Sequence, residues 1–290
     1  MHRLVLLFFL ATLFPPMVRA QGTPDKIACY SDRQDNAPHK KKLWDGYEIS
    51  LGPSSNPEAV EDKCTGAIYN SAGKVVFRTN GFSVVFDETV TRTDFDGDGK
   101  PEVVFRTDTG GGMHCCWAYI VLSLSPKPHK LFEIDMQGRV DFDRDKDGKV
   151  VIWKRTAGPY GFTSMARTPF AEKVLRVRDG KLVDATPEFC GRILSNESED
   201  YQADQRWLTP ENLKKLQTTG TGDWGNEEIV SALLSRALQQ VFCRKFDEAM
   251  KQLGLWPEAD RVKMKIGLAD AIREDYPEFA AKLREVPESK

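Results

Sequence analysis

Histidine is scarce in this 290-residue chain: there are four in all, and only His39, His114 and His129 lie beyond the first twenty residues. There is no Gly-x-Ser-x-Gly elbow, no Walker loop and no dinucleotide fingerprint, so the commonest nucleophile and nucleotide motifs are missing. Past the N-terminal leader, no stretch approaches the roughly 20 apolar residues of a membrane helix. Charge of one sign is lacking too. The formal net charge is −2, and loss of a leader carrying Arg3 and Arg19 takes it to −4. That mild acidity offers no general field for nucleic acid or an anionic membrane. The basic run His39-Lys40-Lys41-Lys42 reads as a solvated face, and no nucleic-acid partner is expected.

The beginning of the chain has the build of an export signal. His2 and Arg3 precede an apolar run from Leu4 to Phe14, and Val18-Arg19-Ala20 offers small residues for cleavage after Ala20. The expectation is a secreted or periplasmic protein starting at Gln21, with no transmembrane segment after cleavage. The six cysteines, Cys29, Cys64, Cys115, Cys116, Cys190 and Cys243, all fall in that mature part. An even number outside the cytoplasm argues for disulfides. A bridge between neighbours would distort the peptide joining them, so Cys115 and Cys116 are expected to take different partners. Cys190 with Cys243 is then a plausible pair, leaving Cys29 and Cys64 for Cys115 and Cys116.

Four segments follow from the patterning. Residues 1–20 are the leader. Residues 21–63 read as an irregular N-terminal segment with one apolar stretch at Trp44–Leu51. Residues 64–190 form a β domain, and residues 191–290 a helical region packed on it. Within the β domain, Lys74–Arg78 and Phe82–Phe86 flank Thr79-Asn80-Gly81, a hairpin signal. Further strands are expected at Glu102–Thr107, Cys116–Leu124, Lys130–Ile134, Val150–Lys154, Val174–Val177 and Lys181–Val183. The close turns and β-branched enrichment predict a mainly antiparallel β fold, either propeller-like hairpins or a compact sheet domain, with a C-terminal α-helical segment. Asn226 is placed to cap one long helix from Glu227 to Leu253, with Gly254 as its stop. Pro257 starts a second, with Val262, Ile266, Ala269 and Ile272 along its buried stripe, and Pro277 a third.

The segment Asp94-Phe95-Asp96-Gly97-Asp98-Gly99-Lys100-Pro101-Glu102 carries the sharpest chemistry. Calcium is a hard cation that takes about 6 to 8 oxygen ligands. Asp94, Asp96 and Asp98 stand at alternate positions, Lys100 can offer its carbonyl, and Glu102 adds an acid at the ninth position. Three aspartates so close repel one another unless a cation screens them. An all-oxygen protein cage favours calcium over magnesium. The twelfth position is Phe105, and a strand pattern follows Glu102, so the loop lies outside the EF-hand class.

This loop, followed by an apolar strand, resembles the calcium loop of FG-GAP or VCBS-type repeats, which build integrin-like propeller blades and occur in exported bacterial proteins. With Gly111-Gly112-Met113-His114-Cys115-Cys116 behind it, the stretch also resembles uncharacterised exported bacterial proteins that join such a loop to Gly-Gly-x-His-Cys-Cys. The likeness covers Asp94 to Leu124, and it implies a calcium site rather than an activity. A second acidic run places Asp143, Asp145 and Asp147 in equivalent positions, with Gly148 falling 49 residues after Gly99. Its ninth position is Val151, and Arg144 and Lys146 supply local counter-charge, so this is the weaker metal candidate.

His114-Cys115-Cys116 as a zinc, copper or thiol site competes with disulfide formation and loses to it. The expectation is a non-catalytic exported protein, stabilised by calcium and disulfides, that binds a protein partner or a glycan. The alternative is an extracytoplasmic hydrolase with a structural calcium, which would show a cleft holding two or more acids or a perturbed His.

Overall fold

In the computed structural model the described residues are 27–31, 37–55, 62–111 and 116–285. The expected leader (residues 1–20), His114 and Cys115 lie outside them. Three open antiparallel sheets follow one another along the chain, and helices close the C-terminal side. The first sheet is a meander of β2 (His39–Lys42), β3 (Glu48–Pro53), β4 (Cys64–Tyr69) and β5 (Val75–Gly81). The second runs in the order β1 (Ala28–Tyr30), β6 (Ser83–Phe86), β7 (Glu102–Asp108), β8 (Trp117–Ser123), β9 (His129–Met136). The third is β10 (Val140–Arg144), β11 (Val150–Ala157), β12 (Phe170–Arg178), β13 (Lys181–Asp184). The mainly β, antiparallel reading therefore holds.

Side chains alternate across a strand, so a sheet packed on both faces feeds two cores. The second sheet does this. Val103 and Phe105 on β7, with Ile120 and Leu122 on β8, pack against Ile49, Leu51 and Ile68 of the first sheet. Val104, Tyr119 and Val121 point the other way, toward Val140, Val150 and Ile152 of the third. A disulfide between Cys29 on β1 and Cys64 on β4 fastens the first two sheets. That pairing overturns the assignment of Cys29 and Cys64 to Cys115 and Cys116. Cys116 is itself disulfide-bonded.

Strands also appear where irregular chain was expected: β1, β2 and β3 all lie within residues 21–63. A three-residue strand and a lysine-rich edge carry no apolar alternation to read. Thr79-Asn80-Gly81 is not a hairpin turn. Asn80 and Gly81 continue β5, and the chain then crosses from the first sheet to the second. Gly81 is required at the crossing, since a Cβ there would stand 2.8 Å from the Asp108 carbonyl oxygen and 2.9 Å from that of Ser83.

The C-terminal half has α1 (Thr186–Ile193), α2 (Glu199–Gln205), α3 (Pro210–Thr219), α4 (Glu227–Phe242), α5 (Phe246–Gly254), α6 (Glu258–Ile272) and α7 (Pro277–Arg284). The expected single helix from Glu227 to Leu253 is broken after Phe242, where Arg244 has a φ of 56°. The break lets α5 fold back, so Phe242, Leu253 and Trp256 share one buried core. Asn226 does not cap α4; its side-chain amide donates to Thr219 Oγ1 and the Gly220 carbonyl. On α6 the buried stripe is Met264, Leu268, Ala269 and Ile272, while Val262 and Ile266 are exposed. None of the described helices is long and apolar enough to cross a membrane.

The helices grip the third sheet along the edge of β12 that faces away from β11, where β13 does not reach. The Phe170 amide donates to Ser235 Oγ at 3.1 Å, and the Glu172 amide and carbonyl pair with the Gln239 side chain at 2.7 and 2.9 Å. Two buried polar side chains of α4 thus complete a strand edge that would otherwise be open. The expected Cys190–Cys243 disulfide joins α1 to the end of α4. Phe162, in the β11–β12 loop, lies so close to Gly267 of α6 that any Cβ there would overlap its ring. Gly267→Ala should therefore displace this loop and cost about 1–3 kcal/mol; urea denaturation reads the loss, and an unchanged midpoint would contradict the close packing.

Candidate functional site

The loop between β6 and β7 is built around its own aspartates. Gly97 and Gly99 have φ values of 81° and 82°, the left-handed region that glycine enters freely. This curls the backbone amides inward. Asp94 accepts from the amides of Gly97 at 2.7 Å and Gly99 at 3.0 Å. Asp96 accepts from Asp98 at 3.1 Å, and Asp98 from Lys100 at 2.8 Å. Phe95 anchors the turn from below, its buried ring edge-on to Phe132 and Phe142.

Glu102 opens β7 on the same face as Val104, opposite Ser123, and is fully buried. Its Oε2 accepts from the Phe95 amide at 2.7 Å. Its Oε1 is shut off from water and has no hydrogen-bond partner. Carboxylate oxygens of Asp94, Asp96 and Glu102 all come within 4.8 Å of one another, the one such acidic cluster among the described residues. Burial pushes the Glu102 carboxyl from an ordinary 4.5 up to about 8, the Phe95 amide opposes this, and the charges of Asp96, Asp94 and Asp98 add to it. A buried, orphaned carboxylate is costly, and an oxygen-seeking cation bridging it to Asp94 and Asp96 removes that cost. The donor set therefore fits calcium.

Of the five expected ligand residues, the structure brings three together. Asp98 stays exposed on the outer side of the turn, and the Lys100 amine donates to Ser125 Oγ at 2.6 Å. In the second acidic run, Asp143, Asp145 and Asp147 do not form such a cluster. Asp145 Oδ1 accepts from the amides of Asp147 and Lys149, each at 2.9 Å, while Oδ2 takes the Arg176 guanidinium at 2.5 Å. Burial works against ionisation of Asp145, but those amides and Arg176 outweigh it and hold its carboxyl below the usual range. Arg176, from β12, thus supplies the positive charge beside Asp145. Asp143 accepts from the Arg144 amide.

One feature was not anticipated from the sequence. The outward face of the third sheet is only partly covered by α1, whose Phe189 and Ile193 pack on Trp153 and Val174. Beside them runs a groove. One hollow of about 440 Å³ lies between the sheet and the start of α2, and another of about 540 Å³ lies beside α1; they share Asp143, Trp153 and Arg192. Cross-strand pairs set out its floor: Asp141 opposite Trp153, and Arg155 opposite Glu172. Arg139 pairs with Asp141, and Arg155 with Asp200 at 3.0 Å. Glu172 accepts from Ser198 Oγ at 3.3 Å, and its carboxyl is raised by burial, with the Asp200 charge adding to the effect. The signal was present as period-two alternation in Arg139-x-Asp141-x-Asp143, Trp153-x-Arg155 and Glu172-x-Val174-x-Arg176. It reads as an ordinary solvated strand face until α2 is seen to wall it.

Without metal, folded Glu102 keeps a proton that the unfolded chain sheds above about pH 4.5, so the folded state binds more protons up to about pH 8. Stability should consequently fall as pH rises through that window. Glu102→Gln, which cannot ionise, should flatten the fall in metal-free buffer; melting curves between pH 5 and 8 test this, and equal slopes for both proteins would contradict it. No family model, curated protein or solved structure matches the chain.

Proposed function

We propose that this is an exported, non-catalytic β-protein that is stiffened by calcium and disulfides and binds a partner or glycan outside the cytoplasm. The observation that carries the calcium part is the orphaned Oε1 of fully buried Glu102, beside Asp94 and Asp96. Calcium there would be held by these three side chains, with the Lys100 carbonyl as a further oxygen of the same turn. It would tie the β6–β7 loop to the strand that feeds both β cores, so its role is mechanical. The export part is supported by the leader-like N-terminus and by the disulfides Cys29–Cys64 and Cys190–Cys243, which persist in oxidising compartments.

A second reading, an extracytoplasmic hydrolase with structural calcium, is favoured by one observation: Glu172, its carboxyl raised by burial, lines the same groove as Asp141 and Asp200. A pair of carboxyl groups facing one cleft is the arrangement that glycoside hydrolysis uses. In this reading calcium keeps the same place and the groove becomes the active site.

At calcium concentrations about 100 times the dissociation constant, binding should raise Tm by on the order of 5 °C over the chelator-treated protein. Asp96→Ala should abolish most of that rise while changing the metal-free Tm little. Identical melting with calcium and with chelator would sink the calcium reading. Shortening of an oligosaccharide, lost in Glu172→Gln, would transfer the protein to the hydrolase reading.

A further inference from the structure

Trp153 marks the middle of the groove; Phe189 packs edge-on against it, and the rest of its cover is weakly held. The Arg192 guanidinium stands 4.4 Å from the indole centroid, and Arg192 is exposed with no ion pair among the described residues. Such a stacking contact is worth about 0.5–1 kcal/mol at an exposed site. Trp153 is only 8% exposed, and its indole N–H has no acceptor. Close by, the Arg155 Nε–H is buried and lacks an acceptor as well. Native interiors rarely leave two such donors dry in one place, so the pair marks a site missing its acceptors.

The surrounding charges say which acceptors fit. The hollow beside α2 is lined by three arginines and six acids, and the two principal pairs, Arg139–Asp141 and Arg155–Asp200, neutralise each other. The acidic surplus repels a polyanion. No three of these acids bring their oxygens together as a bound cation requires. What remains is a strip of alternating donors and acceptors beside an aromatic ring, in hollows of the size usual for small-molecule sites. Hydroxyl groups both donate and accept, so a chain of them can pair with arginine and carboxylate in turn, and the C–H face of a sugar ring packs on indole.

We propose that the groove between the third sheet and α1–α2 is a binding site for an uncharged oligosaccharide, with Arg192 as its movable cover. On binding, Arg192 swings off Trp153 and donates to sugar hydroxyls, while a pyranose ring takes its place on the indole. Glu172 meets the hydroxyls from the floor beside Arg155, with its partner Ser198 at the start of the α2 wall. This proposal rests on the reading of the protein as a glycan-binding module and gives that module its site and ligand class.

The test uses calorimetric titration of the mature protein with maltohexaose, cellohexaose, N-acetylated chitohexaose and mannohexaose, and with polygalacturonate as the charged comparison. Each titration is run with calcium and with chelator. The expected result is saturable one-site binding of at least one uncharged hexaose. Arg192→Ala, a surface change that leaves the fold intact, should weaken it at least about tenfold through loss of a charge-assisted hydrogen bond. Trp153→Leu, with its folding checked by circular dichroism, should abolish it. No saturable binding by any uncharged hexaose overturns the proposal, as does binding unaffected by Arg192→Ala or tighter binding of polygalacturonate. The chelator arm separates the two ideas: sugar binding in a protein whose melting ignores calcium leaves the groove standing and removes the metal.

Discussion

A carboxylate sealed from water on one oxygen is the constraint around which the β region is arranged. Glu102 begins the strand whose next residues, Val103, Val104 and Phe105, feed both β cores. Its side chain is held by the Phe95 amide, and the Phe95 ring belongs to the second of those cores. The acid therefore cannot turn outward to find water without unpacking Phe95 or shifting β7. Two states avoid the cost: a protonated acid, or an ion pair with a cation that Asp94 and Asp96 share. On the proposed calcium reading, proton and metal would compete for this one buried oxygen.

The second acidic turn is a useful contrast, because it starts from almost the same residues. Asp145 sits where a metal-binding aspartate would, and Arg176 reaches across from the neighbouring strand to neutralise it. Its ninth position is Val151, which packs in the small core under α1 instead of presenting an oxygen. One site has a buried acid with no cation from the protein; in the other the protein's own Arg176 pairs with the buried carboxylate of Asp145. The difference lies in two residues, Glu102 and Arg176, more than in the aspartates themselves.

Much of this was legible in the sequence, unevenly and for physical reasons. Strands with alternating or continuous apolar residues, such as Glu102–Asp108 and Val150–Ala157, were found because burial writes itself into period two. The convergence of Asp94, Asp96 and Glu102 was legible because acids at the first, third and ninth positions of one glycine-rich turn fall on its inner side. What failed was whatever depends on partners distant in sequence. The strands β1 and β2 exist through pairing with β6 and β3, which nothing in Ala-Cys-Tyr or His-Lys-Lys-Lys announces. Asn80-Gly81 has turn chemistry, yet the chain uses Gly81 for a close crossing against the Asp108 backbone. Arg244 breaks a helix whose apolar spacing runs on across the break. The burial of Glu102 and the grip of Ser235 and Gln239 on β12 likewise needed the third dimension. So did the groove, because the same alternation serves an exposed face or a walled one.

The central claim, that Glu102, Asp94 and Asp96 form a calcium site, is tested most directly by titrating the mature protein with calcium at pH 7 in two buffers of different ionisation enthalpy. With burial pushing the Glu102 carboxyl up to about 8, the free protein carries this proton at pH 7 and calcium binding would expel it. The account predicts a single site whose apparent enthalpy differs between buffers by the amount expected for about one proton released per calcium. Glu102→Gln should bind far more weakly and show no buffer dependence. Absence of saturable heat, or binding with the same enthalpy in both buffers, would contradict it.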